Sequence, residues 1–271
     1  MSDSESKELR KLAIEAAVSV RDDLLSVFRT PMRKDFKRDL HDIVTAHDQA
    51  AESAISSVLS RGCPDSAIIG EEQGKQGNGR VEWHVDPIDG TSNFSRGLPS
   101  WCVSIGAVID QQTCAGVIYH PVSGDVFSAD LMGAWHNDAP MVSSSAAEQI
   151  DATIVSSFPN AKDTGLFGQD AMSAQHRLID DFQAVRNLGS GALNLAYVAA
   201  GWADATMGFQ TNSWDICAGT FILEQAGGAF YGYRSGEAAS PGYVASDYFA
   251  IGAGGDYPTL RTIIESYSAR L

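Results

Sequence analysis

The chain has 271 residues, 44% of them hydrophobic, and a formal net charge of −15 at pH 7. That is enough sequence for one large or two modest domains with buried cores. Because nucleic acids and anionic membranes would repel such a protein on average, we expect neither as its main partner. Apolar runs stay below the roughly 20 residues of a membrane span, and four cysteines without paired short spacing predict a reducing, cytoplasmic location.

Helical periodicity covers the first part of the chain. Apolar residues recur at helical spacing over residues 9–27, and Pro31 would stop this first helix. A second amphipathic helix is predicted over residues 44–59, with Gly62 as its stop. Asp48 would therefore lie near the start of a helix.

The remainder alternates between strands and helices. A short buried strand at residues 66–69 would deliver Glu71 and Glu72 at its end, and residues 75–80 resemble a glycine-rich loop. Hairpin-linked strands are predicted from residue 101 to 151. Beyond them, helical patterns lie near residues 169–184, 190–201 and 215–226. This pattern favours α+β layers that pack on each other.

Residues 86–94, Asp-Pro-Ile-Asp-Gly-Thr-Ser-Asn-Phe, place two carboxylates around a stiff turn. Residues 81–85 alternate apolar and polar, as in a half-buried strand, so Asp86 would follow the end of a strand. Asp86, Asp89 and the carbonyl of Ile88 could then face one point. Such hard oxygen ligands suit Mg²⁺ or Ca²⁺ and not zinc.

Gly90 and Thr91 follow the second carboxylate directly. Gly90 can adopt a positive φ and bring bare backbone close to a ligand, and Thr91 is a good N-cap for a short helix through Phe94. A helix N-terminus attracts anions, which predicts a phosphate beside the metal. An ordinary Pro-Asp-Gly turn capped by Thr would explain four of these residues. It would not explain two aspartates that repel each other.

The segment resembles the signature of the inositol monophosphatase superfamily, the lithium-sensitive, magnesium-dependent phosphomonoesterases. Three further segments resemble family motifs in the family's order: residues 42–48, Gly70-Glu71-Glu72 and residues 214–219. The resemblance implies an α+β fold, the layered αβαβα sandwich. It also implies an N-terminal half, residues 1–150, with most metal ligands, and a C-terminal half, residues 151–271, with Asp215 and the substrate-selecting segments.

The resemblance further implies roles for single residues. Two or three Mg²⁺ ions per active site would be bound by Glu71, Asp86, the Ile88 carbonyl, Asp89 and Asp215, with Asp42 as an outer ligand. The catalytic residues would be Glu71, Thr91 and Asp48. The phosphate and the substrate would contact Gly90, Thr91, Lys37, Ser190, Gly191, Gln210 and Asn212.

The residues alone leave other roles open. Glu71 could be a solvated turn residue, and Asp215 could simply complement a helix dipole. Lys37 and Asp42 could be plain surface residues. His84 lies two residues before Asp86, but no second histidine has a matching spacing, so we expect a packed or solvated side chain.

The clearest departure from the family is Gly208, which stands where inositol monophosphatases carry a glutamate that accepts hydrogen bonds from inositol hydroxyls. This predicts weak recognition of inositol 1-phosphate and a gain from Gly208→Glu. Gln210 and Asn212 could still bind a hydroxyl group.

The sequence thus predicts a Mg²⁺-dependent phosphomonoesterase for a small polyol or sugar phosphate, with inositol 1-phosphate as the default. Alternative substrates on the same fold are fructose 1,6-bisphosphate, a 3′-phosphonucleotide and histidinol phosphate. A non-enzymatic alternative is a partner-binding regulatory protein. We expect the protein to form a homodimer and to bind a small phosphorylated metabolite.

Overall fold

The computed structural model describes residues 1–32, 35–36 and 43–271. Its helices are α1 (Asp3–Ser19), α2 (Arg21–Val27), α3 (Ala46–Gly62), α4 (Thr91–Arg96), α5 (Ala161–Phe167), α6 (Gln169–Asp181), α7 (Gly191–Ala199), α8 (Ser213–Gln225) and α9 (Pro258–Ser268). Within the described ranges, no helix is both long enough and apolar enough to span a membrane.

The first ten strands are β1 (Asp35–Phe36), β2 (Ile43–Val44), β3 (Ser66–Gly70), β4 (Gly74–Gln76), β5 (Val81–Asp89), β6 (Cys102–Ile109), β7 (Gln112–His120), β8 (Asp125–Asp130), β9 (Gly133–His136) and β10 (Ala139–Pro140). The other six are β11 (Thr153–Ser156), β12 (Ala184–Arg186), β13 (Ala205–Gly208), β14 (Ala229–Arg234), β15 (Glu237–Ala238) and β16 (Asp247–Ile251).

Two larger sheets organise the molecule. The first has eight strands in the order β10-β9-β8-β7-β6-β5-β3-β4, and only its β3–β5 pair is parallel. The second has six strands in the order β12-β11-β13-β16-β14-β15, with β11 parallel to both its neighbours. The short strands β1 and β2 pair with each other.

Helices separate and cover these sheets in five layers. α1 and α3 pack on one face of the eight-stranded sheet, while α7 and α8 lie between the two sheets and contact both. α6 and α9 cover the outer face of the six-stranded sheet, and α5 packs on α6. This arrangement confirms the predicted αβαβα sandwich. Whether the two halves are separate domains stays a prediction, because α7 and α8 bury apolar residues against both.

Two glycines let α8 approach the eight-stranded sheet closely. Gly106 and Gly116 are partners in the β6–β7 pair. A Cβ at Gly106 would lie 2.5 Å from Cys217 Sγ, and a Cβ at Gly116 would lie 2.8 Å from the Ala218 carbonyl oxygen. Close contact of backbone with a helix is a recurrent use of glycine in strands. It brings the start of α8, and with it Asp215, toward the end of β5.

Some predicted elements differ from the structure. The first helix is two helices, with Val20 as the C-cap of α1 and the N-cap of α2. The predicted loop at 75–80 begins as the edge strand β4, and β5 continues through Asp86 to Asp89. β5 is also buried at nearly every position rather than half-buried, since helices cover both faces of the sheet and remove the polar alternation expected of a one-sided sheet.

Candidate active site

The end of β5 carries the two aspartates that the sequence singled out. The pairing of β5 with β6 is regular up to Asp86 and then shifts register before Asp89. Asp86 is 2% exposed, and its Oδ1 accepts a hydrogen bond from Ile88 N at 2.9 Å. Such an irregularity re-aims side chains at the end of a strand, so both carboxylates leave the ladder near the ends of α7 and α8.

Asp89 ties the two halves of the molecule together. Its Oδ2 accepts hydrogen bonds from Ser190 Oγ and from Ala192 N, each at 2.6 Å. Burial raises the pKa of Asp89, and these two donors oppose that rise. Ser190 is also the N-cap of α7, where its hydroxyl accepts from Leu193 N. Ser190 therefore holds a carboxylate in place, and its contact with a substrate stays a prediction.

Asp215 lies in the first turn of α8. Its Oδ2 accepts a hydrogen bond from Asn212 N at 2.7 Å, which is the helix-capping role that the sequence left open. In the part of the chain that the structure describes, Asp215 Oδ1 accepts no hydrogen bond. Burial raises the pKa of Asp215 to about 7. One oxygen thus anchors the helix and the other can bind a ligand.

The four acidic residues interact electrostatically. Burial raises the pKa of Asp86 well above its usual range, and the charges of Glu71, Asp89 and Asp215 raise it further. Among the residues described, no Lys, Arg or His forms an ion pair with any of the three aspartates. Buried carboxylates of this kind need a cation or protons to be stable.

The described side chains contain no set of three acidic, histidine or cysteine groups close enough to hold an ion as they stand. The carboxylates still lie close enough to raise the pKa of Asp86 and Asp89. The donor set nevertheless fits a hard divalent cation in its chemistry, since it consists of carboxylate oxygens near a buried backbone carbonyl. Glu71, Asp86, Ile88, Asp89 and Asp215 are the residues that would bind it.

Thr91 and Asp48 are in direct contact. Thr91 Oγ1 lies 3.0 Å from Asp48 Oδ1 and 3.0 Å from the Ile88 carbonyl oxygen. The other oxygen of Asp48 accepts from Thr45 N at 2.8 Å and from Thr45 Oγ1 at 2.6 Å, a capping box that begins α3. Burial raises the pKa of Asp48, and the Thr45 and Thr91 hydrogen bonds oppose it.

Gly90 is the N-cap of α4, a place that the sequence assigned to Thr91. Its φ of 95° is in the left-handed region, which favours glycine. A Cβ there would also lie 2.9 Å from the Ser100 carbonyl oxygen and 3.2 Å from that of Gly189. Gly90 therefore permits a close crossing of three backbone segments beside the carboxylates.

A cavity of about 360 Å³ opens beside Asp89 and Asp215. This size suits a small organic ligand. Of the predicted substrate contacts, Gly191 and Gln210 line it. Asn212 is the N-cap of α8 and donates from its backbone N and from Nδ2 to Asp215 Oδ2. Lys37 and Asp42 lie outside the described residues. The predicted roles of these three residues stay predictions.

His84 is a packed residue. It is 4% exposed, its Nδ1 lies 2.7 Å from Ser213 Oγ, and its ring lies against Tyr243. Burial lowers the pKa of His84 to about 4, so the ring is neutral at pH 7. This agrees with the expected non-ligand role.

Several cavity residues were not predicted from the sequence, among them Asp163 and Tyr248. A signal for Asp163 existed, because Asn160 and Asp163 have the N-cap and N3 spacing of a capping box directly after a proline.

Tyr248 explains why position 208 is glycine. The two residues are cross-strand partners in the β13–β16 pair, and a Cβ at Gly208 would lie 2.9 Å from Tyr248 Cε1. Tyr248 is 2% exposed and stacks on Phe230 with ring centroids 5.1 Å apart. An aromatic ring that covers a strand glycine is a known stabilising pair. The ring thus occupies the space that a side chain at 208 would need.

Comparison with known proteins agrees with this geometry. The model of the inositol monophosphatase family matches residues 5–268. Nus factor SuhB of Pasteurella multocida is 35% identical over 202 residues, which cover 73% of this chain and 75% of that protein. Inositol-1-monophosphatase of Synechocystis is 33% identical over 233 residues, which cover 82% and 78%.

A crystal structure of the extragenic suppressor protein suhB from Bartonella henselae superposes with a TM-score of 0.83 at 25% identity, and the match covers 96% of this chain and 98% of that one. The order of layers and the position of the acidic residues at the end of β5 are thus accompanied by a sequence match over nearly the whole chain. The chain belongs to the inositol monophosphatase family.

Proposed function

We propose that this protein is a Mg²⁺-dependent phosphomonoesterase that hydrolyses the phosphate ester of a small alcohol. The observation that carries the proposal is the Thr91 hydroxyl, which contacts both Asp48 and the Ile88 carbonyl beside a group of buried acidic residues. A helix cap alone would not need this contact, because Asp48 already caps α3 through its other oxygen.

The acidic residues supply the metal site. Glu71, Asp86, Asp89 and Asp215 would hold Mg²⁺ with the Ile88 carbonyl, two or three ions in all. When bound, Mg²⁺ supplies positive charge that stabilises the phosphate oxygens and the departing alkoxide. The anchored oxygens of Asp86, Asp89 and Asp215 keep the side chains in place while their second oxygens face the ligand.

Thr91 and Asp48 would move the proton of the attacking water. The Thr91 hydroxyl has one hydrogen, and when it donates to Asp48 its lone pairs are free to accept a proton from water. Burial raises the pKa of Asp48, which makes this carboxylate a better proton acceptor. Glu71, whose charge also reaches Asp48, would contact the same water.

The alcohol portion would occupy the cavity next to Asp89 and Asp215. A polyol or sugar phosphate, with inositol 1-phosphate as the family default, fits its size. Fructose 1,6-bisphosphate, a 3′-phosphonucleotide and histidinol phosphate remain alternatives. The Tyr248 ring beside Gly208 disfavours inositol 1-phosphate, since it occupies the place of a carboxylate there.

Phosphate release from a panel of small phosphate esters, with and without Mg²⁺, tests this function. We expect turnover that needs Mg²⁺, falls with Li⁺ and excess Ca²⁺, and is lost in Asp86→Asn. Full activity in EDTA would contradict the proposal.

A second candidate is a partner-binding regulatory role, which the relative named Nus factor SuhB favours. In that case Asp86→Asn would leave the cellular function intact although it removes phosphatase activity. We further propose a cytoplasmic homodimer, which sedimentation of the purified protein would test.

A further inference from the structure

The lining of the cavity includes residues with polar atoms that have no partner. Asp163 Oδ1, Asn194 Oδ1 and Gln210 Nε2 are buried, and each lacks a hydrogen bond among the described residues. Unsatisfied buried polar groups are rare in folded proteins, and each costs about 1–3 kcal/mol. Of the twelve buried side-chain atoms without a partner among the described residues, three belong to residues that line this one cavity, where a ligand would supply the missing partners.

Asp163 is the most costly of the three because it is a carboxylate. It is 2% exposed, and its Oδ2 is used by the cap of α5, where it accepts from Asn160 N at 2.9 Å. The cap therefore orients the side chain and leaves Oδ1 as the unpaired atom. Burial raises the pKa of Asp163 to about 6, so the group is mostly ionised at pH 7.

The charge of Asp163 is compensated only in part, since the charge of the neighbouring Lys162 lowers its pKa and that of Asp247 raises it. Within the described ranges, no basic side chain forms an ion pair with Asp163 or with Asp247, the buried carboxylate whose charge reaches it. Asp247 is itself used structurally, since its Oδ1 accepts from Gln210 N at 3.1 Å and its Oδ2 accepts from Ser268 Oγ at 2.7 Å. A neutral hydroxyl would give Asp163 a hydrogen bond but leave its charge unbalanced. A protonated amine gives both.

We propose that Asp163 is a specificity-determining residue that binds a protonated amine on the alcohol portion of the substrate, with Asn194 and Gln210 as further hydrogen-bonding partners. This inference rests on the proposed phosphatase function and narrows its substrate class to aminoalcohol phosphates. It places the carboxylate that selects the alcohol on α5 and not at position 208.

The proposal is tested with three matched series of substrates, each with three to six carbons. They are alkyl phosphates, ω-hydroxyalkyl phosphates and ω-aminoalkyl phosphates. At the best chain length we expect kcat/KM of the amine to exceed that of the alcohol by roughly tenfold to a hundredfold, the range for one charged hydrogen bond. Asp163→Asn should abolish this preference, so that amine and hydroxyl compounds of equal length are hydrolysed with kcat/KM values within about twofold of each other. Asp138→Asn, the same charge change on an exposed turn, should preserve the preference.

Gln210→Lys provides a second variant that leaves the α5 cap intact. Its ammonium would compensate Asp163 from inside the cavity, so the amine preference should again disappear. Calorimetric binding of 3-aminopropylphosphonate and propylphosphonate gives a readout that needs no turnover, and the amine should bind more tightly only when Asp163 is present.

The outcomes separate the two proposals. Equal turnover and binding of amine and hydroxyl compounds, or a preference that persists in Asp163→Asn, would overturn the role of Asp163. Failure of the wild type to hydrolyse p-nitrophenyl phosphate with Mg²⁺ would instead overturn the phosphatase function, and the phosphonate binding would still decide the role of Asp163.

Discussion

The two sides of the cavity are built differently. On the metal side, each aspartate has one oxygen anchored by a backbone N–H, and the residues come from short segments at the end of β5 and the start of α8. On the alcohol side, Asp163, Asn194 and Gln210 come from separate segments and leave three buried atoms unsatisfied. The comparison suggests that the metal side is preorganised for phosphate, whereas the alcohol side is completed by its ligand.

The largest effect is expected on the metal side. Asp86→Asn should lower kcat by about 10³-fold or more and weaken Mg²⁺ binding, because the charge of Asp86 supports several kcal/mol of transition-state stabilisation. In EDTA the same variant should unfold at an equal or higher temperature than the wild type, since it removes repulsion from Glu71, Asp89 and Asp215. Calorimetry with and without Mg²⁺ measures both. A lower melting temperature in EDTA would indicate a structural role for Asp86.

The proton relay gives the next effect. Thr91→Ala and Asp48→Asn should each lower kcat by roughly 10²–10⁴-fold, and the double variant should lose little more than either single one, because the two residues act as one unit. Ser92→Ala, an exposed neighbour on α4, is the control and should be nearly silent. Mg²⁺ affinity should remain close to that of the wild type in all of them. A double variant whose loss equals the product of the single losses would show that no relay exists.

The difference between the two sides also explains which site residues could be predicted from the sequence. Asp86, Asp89 and Thr91 lie within six residues, so the local order of strand, turn and helix predicts that they are close in space. The family resemblance then added the more distant Asp48 and Asp215. The contact of Gly208 with Tyr248 depends on which strands become neighbours, and α8, β14 and β15 lie between β13 and β16 in the chain. No local periodicity encodes such a pairing.

Local sequence patterns also did not predict how deeply β5 is buried. Residues 81–85 alternate in polarity, yet helices on both faces bury nearly all of β5, including His84 and Asp86. The α5 cap was overlooked because its helix has seven residues and lacks a clear apolar stripe. As a consequence the sequence analysis named Gly208, Gln210 and Asn212 as determinants of substrate selection but not Asp163.

A smaller effect is expected from filling the space at Gly208. Gly208→Ala should destabilise the protein by roughly 1–3 kcal/mol, the usual cost of overpacking, because its Cβ meets the buried ring of Tyr248. Tyr248→Val in the same chain should recover part of that loss, and urea denaturation of the single and double variants measures the coupling. Gly208→Glu alone should therefore not improve hydrolysis of inositol 1-phosphate relative to p-nitrophenyl phosphate. A tenfold improvement would show that the ring moves aside easily.

The final prediction concerns the stability effect of the unpaired carboxylate. Burial raises the pKa of Asp163 from 3.8 to about 6 in the folded protein. Because the folded state binds this proton more tightly than the unfolded state, the protonated carboxyl group stabilises the fold below about pH 4. That stabilisation is lost as the pH rises through about 6. Asp163→Asn keeps an oxygen for the Asn160 cap and should be more stable than the wild type by roughly 1–3 kcal/mol at pH 7, with little difference at pH 4.

Urea denaturation in EDTA at the two pH values measures this difference without a contribution from Mg²⁺. The exposed control Asp138→Asn should change stability equally little at both. If Asp163→Asn is instead less stable at pH 7, the carboxylate is compensated within the folded chain and has no need of an amine. A gain in stability accompanied by loss of the amine preference would show that the alcohol side of the cavity keeps an unfavourable charge because the substrate pairs with it.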